Sequence, residues 1–67
     1  MKNCLEELRK QHNITQEELA SALEVSRQTI SSLENGRYNP SIILALKIAR
    51  FFSIAVEEIF IYEEDEQ

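Results

Sequence analysis

Glycine, proline and cysteine each occur once among the 67 residues, and tryptophan does not occur at all. The lone Cys4 cannot form an intramolecular disulfide, so no covalent cross-link stabilises the fold. No stretch approaches the roughly twenty consecutive apolar residues that a membrane-spanning helix requires. One glycine is also too few for a glycine-rich phosphate-binding loop. We therefore expect a small domain without cross-links that resides in a reducing cytoplasm.

One stretch in the middle of the chain has the start and stop signals of a short helix. Ser26 can cap its first turn, and Gly36 can adopt the left-handed conformation that ends it. Val25 and Ile30 have the spacing of a hydrophobic staple, and Ile30 shares the inner edge with Leu33. The outer edge then presents hydrogen-bonding side chains and no carboxylate: Arg27, Gln28, Ser31, Ser32 and Asn35. Such a face fits the major groove of DNA, where guanine offers two acceptors to arginine and adenine an acceptor and a donor to glutamine.

Charge is distributed unevenly along the chain. The net charge is −5, which argues against a nucleic-acid partner because lysine and arginine normally neutralise the phosphates. However, six of the twelve acids fall within 57–67, and residues 1–56 contain seven bases against six acids. We expect 1–62 to form one domain and 63–67 an acidic, solvated tail. The alternative is that the tail repels DNA and thereby orients the domain.

Similar signals predict four more helices, over 4–11, 15–23, 42–52 and 56–60. Asn3 with Glu6, and Thr15 with Glu18, have capping-box spacing. Ser41 can cap the helix over 42–52, whereas Ala55 is a poor cap. The connection between the second and third helices is three to four residues long, as a helix-turn-helix unit requires. It contains Glu24 at a position where the turn can demand a positive φ and favour glycine. The predicted fold class is all-α.

The C-terminal part of the chain has more apolar residues than one packing partner requires. Ile42, Ile43, Leu46 and Phe51 widen the apolar stripe of the helix over 42–52. The run 59–62 is apolar and rich in residues that favour strands. We therefore expect a subunit interface here, formed by Phe51, Val56, Ile59, Phe60, Ile61 and Tyr62.

No residue pattern indicates catalysis or metal binding. His12 has no neighbouring cysteine or acid at ligand spacing, and Cys4 is most simply a small apolar residue of the first helix. No base paired with an orienting residue accompanies the serines, and so small a core has no room for a closed pocket. We predict no metal, no cofactor, no small-molecule ligand and no enzymatic activity.

With these elements in place, the chain resembles the Cro/CI-type (XRE) helix-turn-helix family of phage and bacterial repressors, particularly its short stand-alone dimeric members. The resemblance covers nearly the whole chain. It rests on the segments Ile14–Ala20, Val25–Ile30, Leu33–Gly36, Tyr38–Ser41, Ala45–Ala49 and Glu58–Phe60. The family implies a compact five-helix, lambda-repressor-like domain that binds DNA as a homodimer, with its third helix in the major groove. It also implies a C-terminal strand that pairs across subunits, for which Ile61 and Tyr62 are the candidates.

The resemblance also assigns individual contacts with DNA. Gln16 matches the phosphate anchor at the start of the second helix. The recognition-helix contacts correspond to Ser26, Arg27, Gln28 and Ser32, and the backbone contacts beyond that helix to Asn35, Arg37 and Asn39. Two further candidates come from the residues themselves: Ser31 on the outer edge, and Tyr38 in the loop, whose ring can alternatively pack on the core.

The sequence thus predicts a DNA-binding transcriptional regulator, with repression of a pseudo-palindromic operator by a homodimer as the leading hypothesis. The alternative is a protein-interaction module, an antitoxin or adaptor, that uses the apolar surface of the last two helices. That alternative leaves the absence of acids from the outer edge of the third helix unexplained.

Overall fold

The computed structural model describes residues 1–62, and the predicted acidic tail at 63–67 lies outside them. Within this range the chain forms five helices and one two-stranded sheet. In chain order the elements are β1 (Lys2–Asn3), α1 (Leu5–Gln11), α2 (Gln16–Leu23), α3 (Arg27–Glu34), α4 (Ile42–Phe52), α5 (Val56–Ile59) and β2 (Phe60–Ile61). The predicted five-helix, all-α architecture is confirmed, with the small sheet added to it.

Three helices begin at the predicted caps. Thr15 and Glu18 form both halves of a capping box at the start of α2. Ser26 accepts from the Thr29 N–H at 3.1 Å, and Ser41 accepts from the Leu44 N–H at 3.1 Å. Each of these bonds satisfies a backbone donor that the first helical turn leaves without a partner. Local sequence signals therefore fix the start of α2, α3 and α4.

The first and last helices begin differently. The predicted capping box of Asn3 and Glu6 is wrong, because α1 starts at Leu5 with Cys4 in the capping position and no side-chain cap. Asn3 lies in β1 instead, where its Oδ1 accepts from the Leu5 N–H at 3.1 Å. At α5, where Ala55 has no capping oxygen, Glu58 Oε1 accepts from the Ala55 N–H at 3.1 Å.

The core gathers one apolar edge from every helix. Its fully buried side chains are Leu5, Leu19, Ile30, Leu33, Ile48 and Ile59. Ala20 is also buried, and its small side chain lets α2 and α3 pack closely. Two predicted interface residues, Ile59 and Phe60, belong to this core, with exposures of 0% and 7%. They are therefore removed from the surface that a partner could contact.

The C-terminal strand pairs within the chain. β2 runs antiparallel to β1, with Lys2 opposite Ile61 and Asn3 opposite Phe60. Within the chain, the C-terminal strand thus pairs with the N-terminal segment, for which two residues of that segment suffice. The pair brings Asn3 Nδ2 within 2.7 Å of the Leu33 carbonyl oxygen, to which it donates at the end of α3.

The turn between α2 and α3 requires a left-handed residue. Glu24 adopts the left-handed conformation with φ 61° and ends α2, and Gly36 adopts it with φ 73° just after α3.

No helix among the described residues is both long and apolar enough to cross a membrane.

Glu24→Gly should raise the free energy of unfolding by about 0.5–1 kcal/mol. A left-handed conformation costs a residue with a Cβ about 1–2 kcal/mol, and the greater freedom of glycine in the unfolded chain offsets part of that gain. The control is Glu24→Ala, which also removes the exposed carboxylate 3.8 Å from Lys47 but keeps the Cβ. Equal denaturation midpoints for the glycine and alanine variants would contradict this account.

Candidate nucleic-acid interface

The outward side of α3 is polar and free of acid among its exposed side chains. Arg27, Gln28 and Asn35 are exposed, and Ser31 and Ser32 are half-buried. The helix contains one carboxylate, Glu34, but that side chain is only 4% exposed and is directed into the protein. The surface that α3 offers to solvent therefore consists of hydrogen-bonding groups and one positive charge.

Two shallow depressions flank α3 and bring most of the predicted residues together. One is lined by Gln16, Arg27, Gln28 and Ser31, and so joins the start of α2 to α3. The other is lined by Ser26, Gln28, Thr29, Ser32, Arg37 and Tyr38, and so joins α3 to the loop that follows it. Gln28 lies between the two depressions. Eight of the ten predicted contacts thus share one continuous side of the domain.

The other two predicted residues lie apart from these depressions. Asn35 lines a separate depression with residues of the N-terminal strand, including Met1 and Lys2. Asn39 is exposed in the loop before Pro40. Tyr38 is 43% exposed, so its ring is not part of the core.

Ser26 has a structural role as well as its predicted contact. Its hydroxyl caps α3 and lies 2.8 Å from Thr29 Oγ1. A hydroxyl oxygen has two acceptor positions and one donor, so the cap does not use its whole capacity.

The Arg9–Glu34 ion pair lies directly behind this surface, and the sequence interpretation missed it. Arg9 Nε donates to Glu34 Oε2 at 2.7 Å and Arg9 Nη2 to Oε1 at 3.3 Å, while Nη1 donates to the Ile14 carbonyl at 3.0 Å. Both side chains are nearly buried, with exposures of 11% and 4%. The hydrogen bond to Glu34 raises the pKa of the Arg9 guanidinium above its ordinary value, against the opposing effect of burial. The guanidinium therefore stays charged, and its bonds to Glu34 join α1 to α3.

Gln16 is held by the same carboxylate. Its Nε2 donates to Glu34 Oε1 at 2.9 Å, so the amide of the first residue of α2 is oriented from behind by α3. One N–H of the amide and its carbonyl oxygen are left for other partners. A side chain fixed in this way loses less conformational entropy when it contacts a ligand than a free one does.

Helical spacing contained a signal for the ion pair. Arg9 follows Leu5 by four positions and Glu34 follows Ile30 by four, so each charged residue continues the inner edge of its helix. Two opposite charges on inner edges of neighbouring helices indicate a buried pair, because an isolated buried charge is strongly unfavourable.

The two residues considered for chemistry have structural contacts. The Cys4 thiol donates to the Glu58 carbonyl at 3.1 Å. His12 Nδ1 lies 2.9 Å from the Leu8 carbonyl oxygen, and its ring meets that of Phe52 edge to face at 5.0 Å. In the part of the chain that the structure describes, no three His, Cys, Asp or Glu residues are grouped so as to hold a metal ion.

Two helices joined by a tight left-handed turn, with the second presenting a polar outer face, define a helix-turn-helix DNA-binding domain. The model of the helix-turn-helix family HTH_3 matches residues 5–59, and the chain belongs to this family of Cro/CI-type regulators.

Relatives of nearly the same length support this assignment. The chain is 59% identical over 66 residues to an uncharacterised HTH-type transcriptional regulator of Methanocaldococcus jannaschii, covering 98% of this chain and all of the relative. It is 45% identical over 65 residues to another such regulator of Bacillus subtilis, covering 97% and 98%. The restriction-modification controller protein C.AhdI of Aeromonas hydrophila has a similar fold, with a TM-score of 0.75 and 34% identity over 84% of this chain and 85% of that chain. The fold and the relatives are those of helix-turn-helix transcriptional regulators and not of enzymes.

Glu34→Ala should lower the free energy of unfolding by about 3–5 kcal/mol, because it leaves the Arg9 guanidinium buried without its carboxylate. Chemical denaturation would measure the loss. The control is Glu6→Ala, which breaks the exposed Glu6–Lys10 pair within α1 and should change stability little. Equal losses for the two variants would show that the buried pair does not hold α1 against α3.

Proposed function

We propose that the chain binds a specific DNA operator as a two-fold homodimer, with α3 in the major groove, and represses transcription in the cytoplasm. The observation that carries this proposal is the acid-free outer face of α3, whose single carboxylate is neutralised internally by Arg9. A helix inserted into the groove approaches phosphates on both sides, so even one exposed acid there would be unfavourable. The burial of Glu34 removes that obstacle.

Arg27 and Gln28 are the proposed residues for base readout. Both are exposed in the first turn of α3, the part of a recognition helix that contacts base edges. Arginine can bind guanine O6 and N7 together, and glutamine can bind adenine N6 and N7, each such pair contributing about 1–3 kcal/mol of discrimination. Ser31 and Ser32 can add single hydrogen bonds beside them.

Residues around α3 are proposed to position the domain on the backbone. Gln16, oriented by Glu34, stands at the N-terminus of α2, where the helix dipole favours a phosphate. Arg37 and Tyr38 line the depression on the other side of α3. Asn35 and Asn39 supply further donors. Contacts of this kind fix register and carry no sequence information directly.

A homodimer fits the dimensions of the domain. Two subunits related by a two-fold axis present two copies of α3 to half-sites about 34 Å apart, one turn of DNA. The described domain measures 33 × 23 × 21 Å, so two copies placed end to end along the longest dimension would have this spacing. Occupation of such an operator can exclude RNA polymerase without any further surface, which is why we propose repression.

The protein-interaction module is the second candidate, because α4 exposes Ile42, Ile43 and Leu46 at 77%, 66% and 54%. A protein-interaction role accounts for this apolar surface, but it does not explain why the exposed face of α3 lacks acidic side chains. Selection of bound sequences from random duplex DNA separates the two candidates. Enrichment of a two-fold symmetric site supports the operator, whereas no enrichment even at low salt overturns DNA binding and favours the module.

Arg27→Ala should reduce the preference for the selected operator over random DNA by about 5- to 150-fold per half-site, the equivalent of about 1–3 kcal/mol for each lost contact. Its binding to random duplex should change much less. Competition titrations with operator and random duplex measure both quantities. An unchanged ratio of the two affinities would exclude Arg27 from base readout.

Arg37→Ala should weaken binding to operator and random DNA by the same factor. It should also make the slope of log K against log salt shallower by about 0.9 per subunit, because one phosphate contact is lost. Titrations at four or more salt concentrations measure the slope. The matched control is Lys47→Ala, which removes an exposed base of α4 that lines neither depression beside α3. A selective loss of operator binding in Arg37→Ala would contradict the phosphate assignment.

A further inference from the structure

Asn35 and Gly36, at the end of α3, form the pair of residues that deamidates most readily in proteins. The Gly36 nitrogen, which is not shielded by a Cβ of its own residue, attacks Cγ of Asn35. The bond from Cγ to Nδ2 breaks, and Nδ2 leaves as ammonia with the proton of the Gly36 amide. Water then opens the cyclic imide to aspartate or isoaspartate. Asn35 is exposed and both residues line one surface depression, so water reaches the bond.

The fold requires glycine at position 36. Gly36 has φ 73°, a left-handed conformation that costs a residue with a side chain more than it costs glycine. A Cβ at this position would also lie 3.3 Å from the Met1 carbonyl oxygen. A bulkier residue, whose side chain would slow the attack, is therefore unfavourable here. The labile pair is fixed by the geometry that ends α3, so its protection must come from conformation.

The native conformation opposes the reaction. The Gly36 N–H donates to the Leu33 carbonyl at 3.0 Å, so the proton that must leave is held in a hydrogen bond. The ψ angle of Asn35 is −5°, which nearly eclipses the Gly36 nitrogen with the Asn35 nitrogen and turns it away from Cβ. The Arg37 N–H donates to the Ser32 carbonyl at 3.2 Å, and this bond completes a Schellman motif. Ring closure therefore requires the end of α3 to open first.

Asn3 restrains this opening from the N-terminal strand. Its Nδ2 donates to the same Leu33 carbonyl at 2.7 Å, so that oxygen accepts from both Asn3 and Gly36. Asn3 is held in turn by the pairing of β1 with β2, where it lies opposite Phe60. Short strands at the surface open at a lower free energy than the core does. The lability of Asn35 is thereby coupled to the strand pair.

We propose that Asn35–Gly36 is a deamidation site at which opening of the end of α3 leads to irreversible loss of DNA binding. Either product adds a carboxylate to the acid-free outer face of α3, close in sequence to the phosphate contact proposed for Arg37. A negative charge at the C-terminus of a helix also opposes the helix dipole. Isoaspartate in addition lengthens the main chain by one carbon, which disrupts the bonds of the Schellman motif. The loss of binding rests on the proposed function, whereas the site and its protection do not.

Peptide mapping by mass spectrometry tests the site. The protein is incubated at mildly alkaline pH, both native and unfolded in urea, and every asparagine is followed. In urea Asn35 should convert first, because the other asparagines precede bulkier residues, at Asn3–Cys4, Asn13–Ile14 and Asn39–Pro40. Conversion of Asn35 should be at least about tenfold slower in the native protein, since only molecules with an open α3 end react.

Asn3→Ala tests the coupling to the strand pair. Loss of the hydrogen bond to Leu33 should speed conversion of native Asn35 by about 2- to 13-fold, the change in opening equilibrium that one typical hydrogen bond supplies. In urea the variant and the wild type should convert at the same rate. The matched control is Glu7→Ala, which changes an exposed residue of the same depression. Its native rate should stay within about twofold of wild type, as for most surface substitutions. Circular dichroism checks that each variant folds.

The effect on DNA binding is measured with Asn35→Asp and Asn35→Ser. Both variants lose the amide, and only Asn35→Asp adds a charge. At low salt Asn35→Asp should bind operator and random duplex at least about tenfold more weakly than Asn35→Ser, and the difference should shrink as salt screens the charge. Isoaspartate is tested by passing aged wild-type protein over immobilised operator duplex. Chains modified at position 35 should be enriched in the unbound fraction.

Each outcome decides a separate step. Native Asn35 that converts as fast as in urea, or that converts no sooner than the other asparagines in urea, overturns the protected site. Equal native rates for Asn3→Ala and wild type overturn the coupling to the strand pair. Equal binding of Asn35→Asp and Asn35→Ser, with modified chains retained on the operator, overturns the inactivation and leaves the operator-binding function standing. A wild-type protein that binds no duplex overturns the proposed function and the inactivation with it, while the conversion rates still decide whether the site exists.

Discussion

The buried ion pair of Arg9 and Glu34 is the interaction on which the rest of the structure depends. It joins α1 to α3 beneath the outer face of α3, and the same carboxylate orients Gln16 at the start of α2. Its energetic value lies less in net attraction than in the high cost of leaving either charge buried alone. Three helices are thereby held in one relative orientation. The side chains on the common outer surface of these three helices therefore project from a backbone that has few alternative arrangements.

The distribution of charge explains how an acidic chain can present a surface suited to DNA. Half of the acids fall within the last eleven residues, Glu34 is neutralised inside, and Glu18 is engaged in the capping box of α2. The bases Arg27 and Arg37 remain exposed, one in each of the two depressions beside α3. Net charge counts all of these groups equally, whereas a bound phosphate responds mainly to those within about one Debye length. The local surface, and not the total, decides the partner.

Local signals were sufficient for much of the fold and for the composition of the candidate site. Caps at Thr15, Ser26 and Ser41 and the left-handed Gly36 are determined by neighbours in sequence, so they could be predicted. The two-stranded sheet could not be predicted from local signals, because the pairing of Lys2 with Ile61 depends on where the helices bring the two ends of the described chain. Burial of Ile59 and Phe60 depends on the same packing. A run of apolar residues indicates that some surface will be covered, and only the tertiary arrangement decides whether the core or a second molecule covers it.

The hydrogen bond from Asn3 to Leu33 has a consequence for the order of folding. α2 and α3 are adjacent in sequence and pack with little loop entropy to overcome, whereas Asn3 and Leu33 are 30 positions apart and Lys2 must reach Ile61 across nearly the whole described chain. Contacts that close longer loops carry the larger entropic cost. We expect the helix-turn-helix unit to assemble first and the strand pair to close last. The C-terminal end of α3 then acquires its final rigidity only when the two most distant segments of the chain have met.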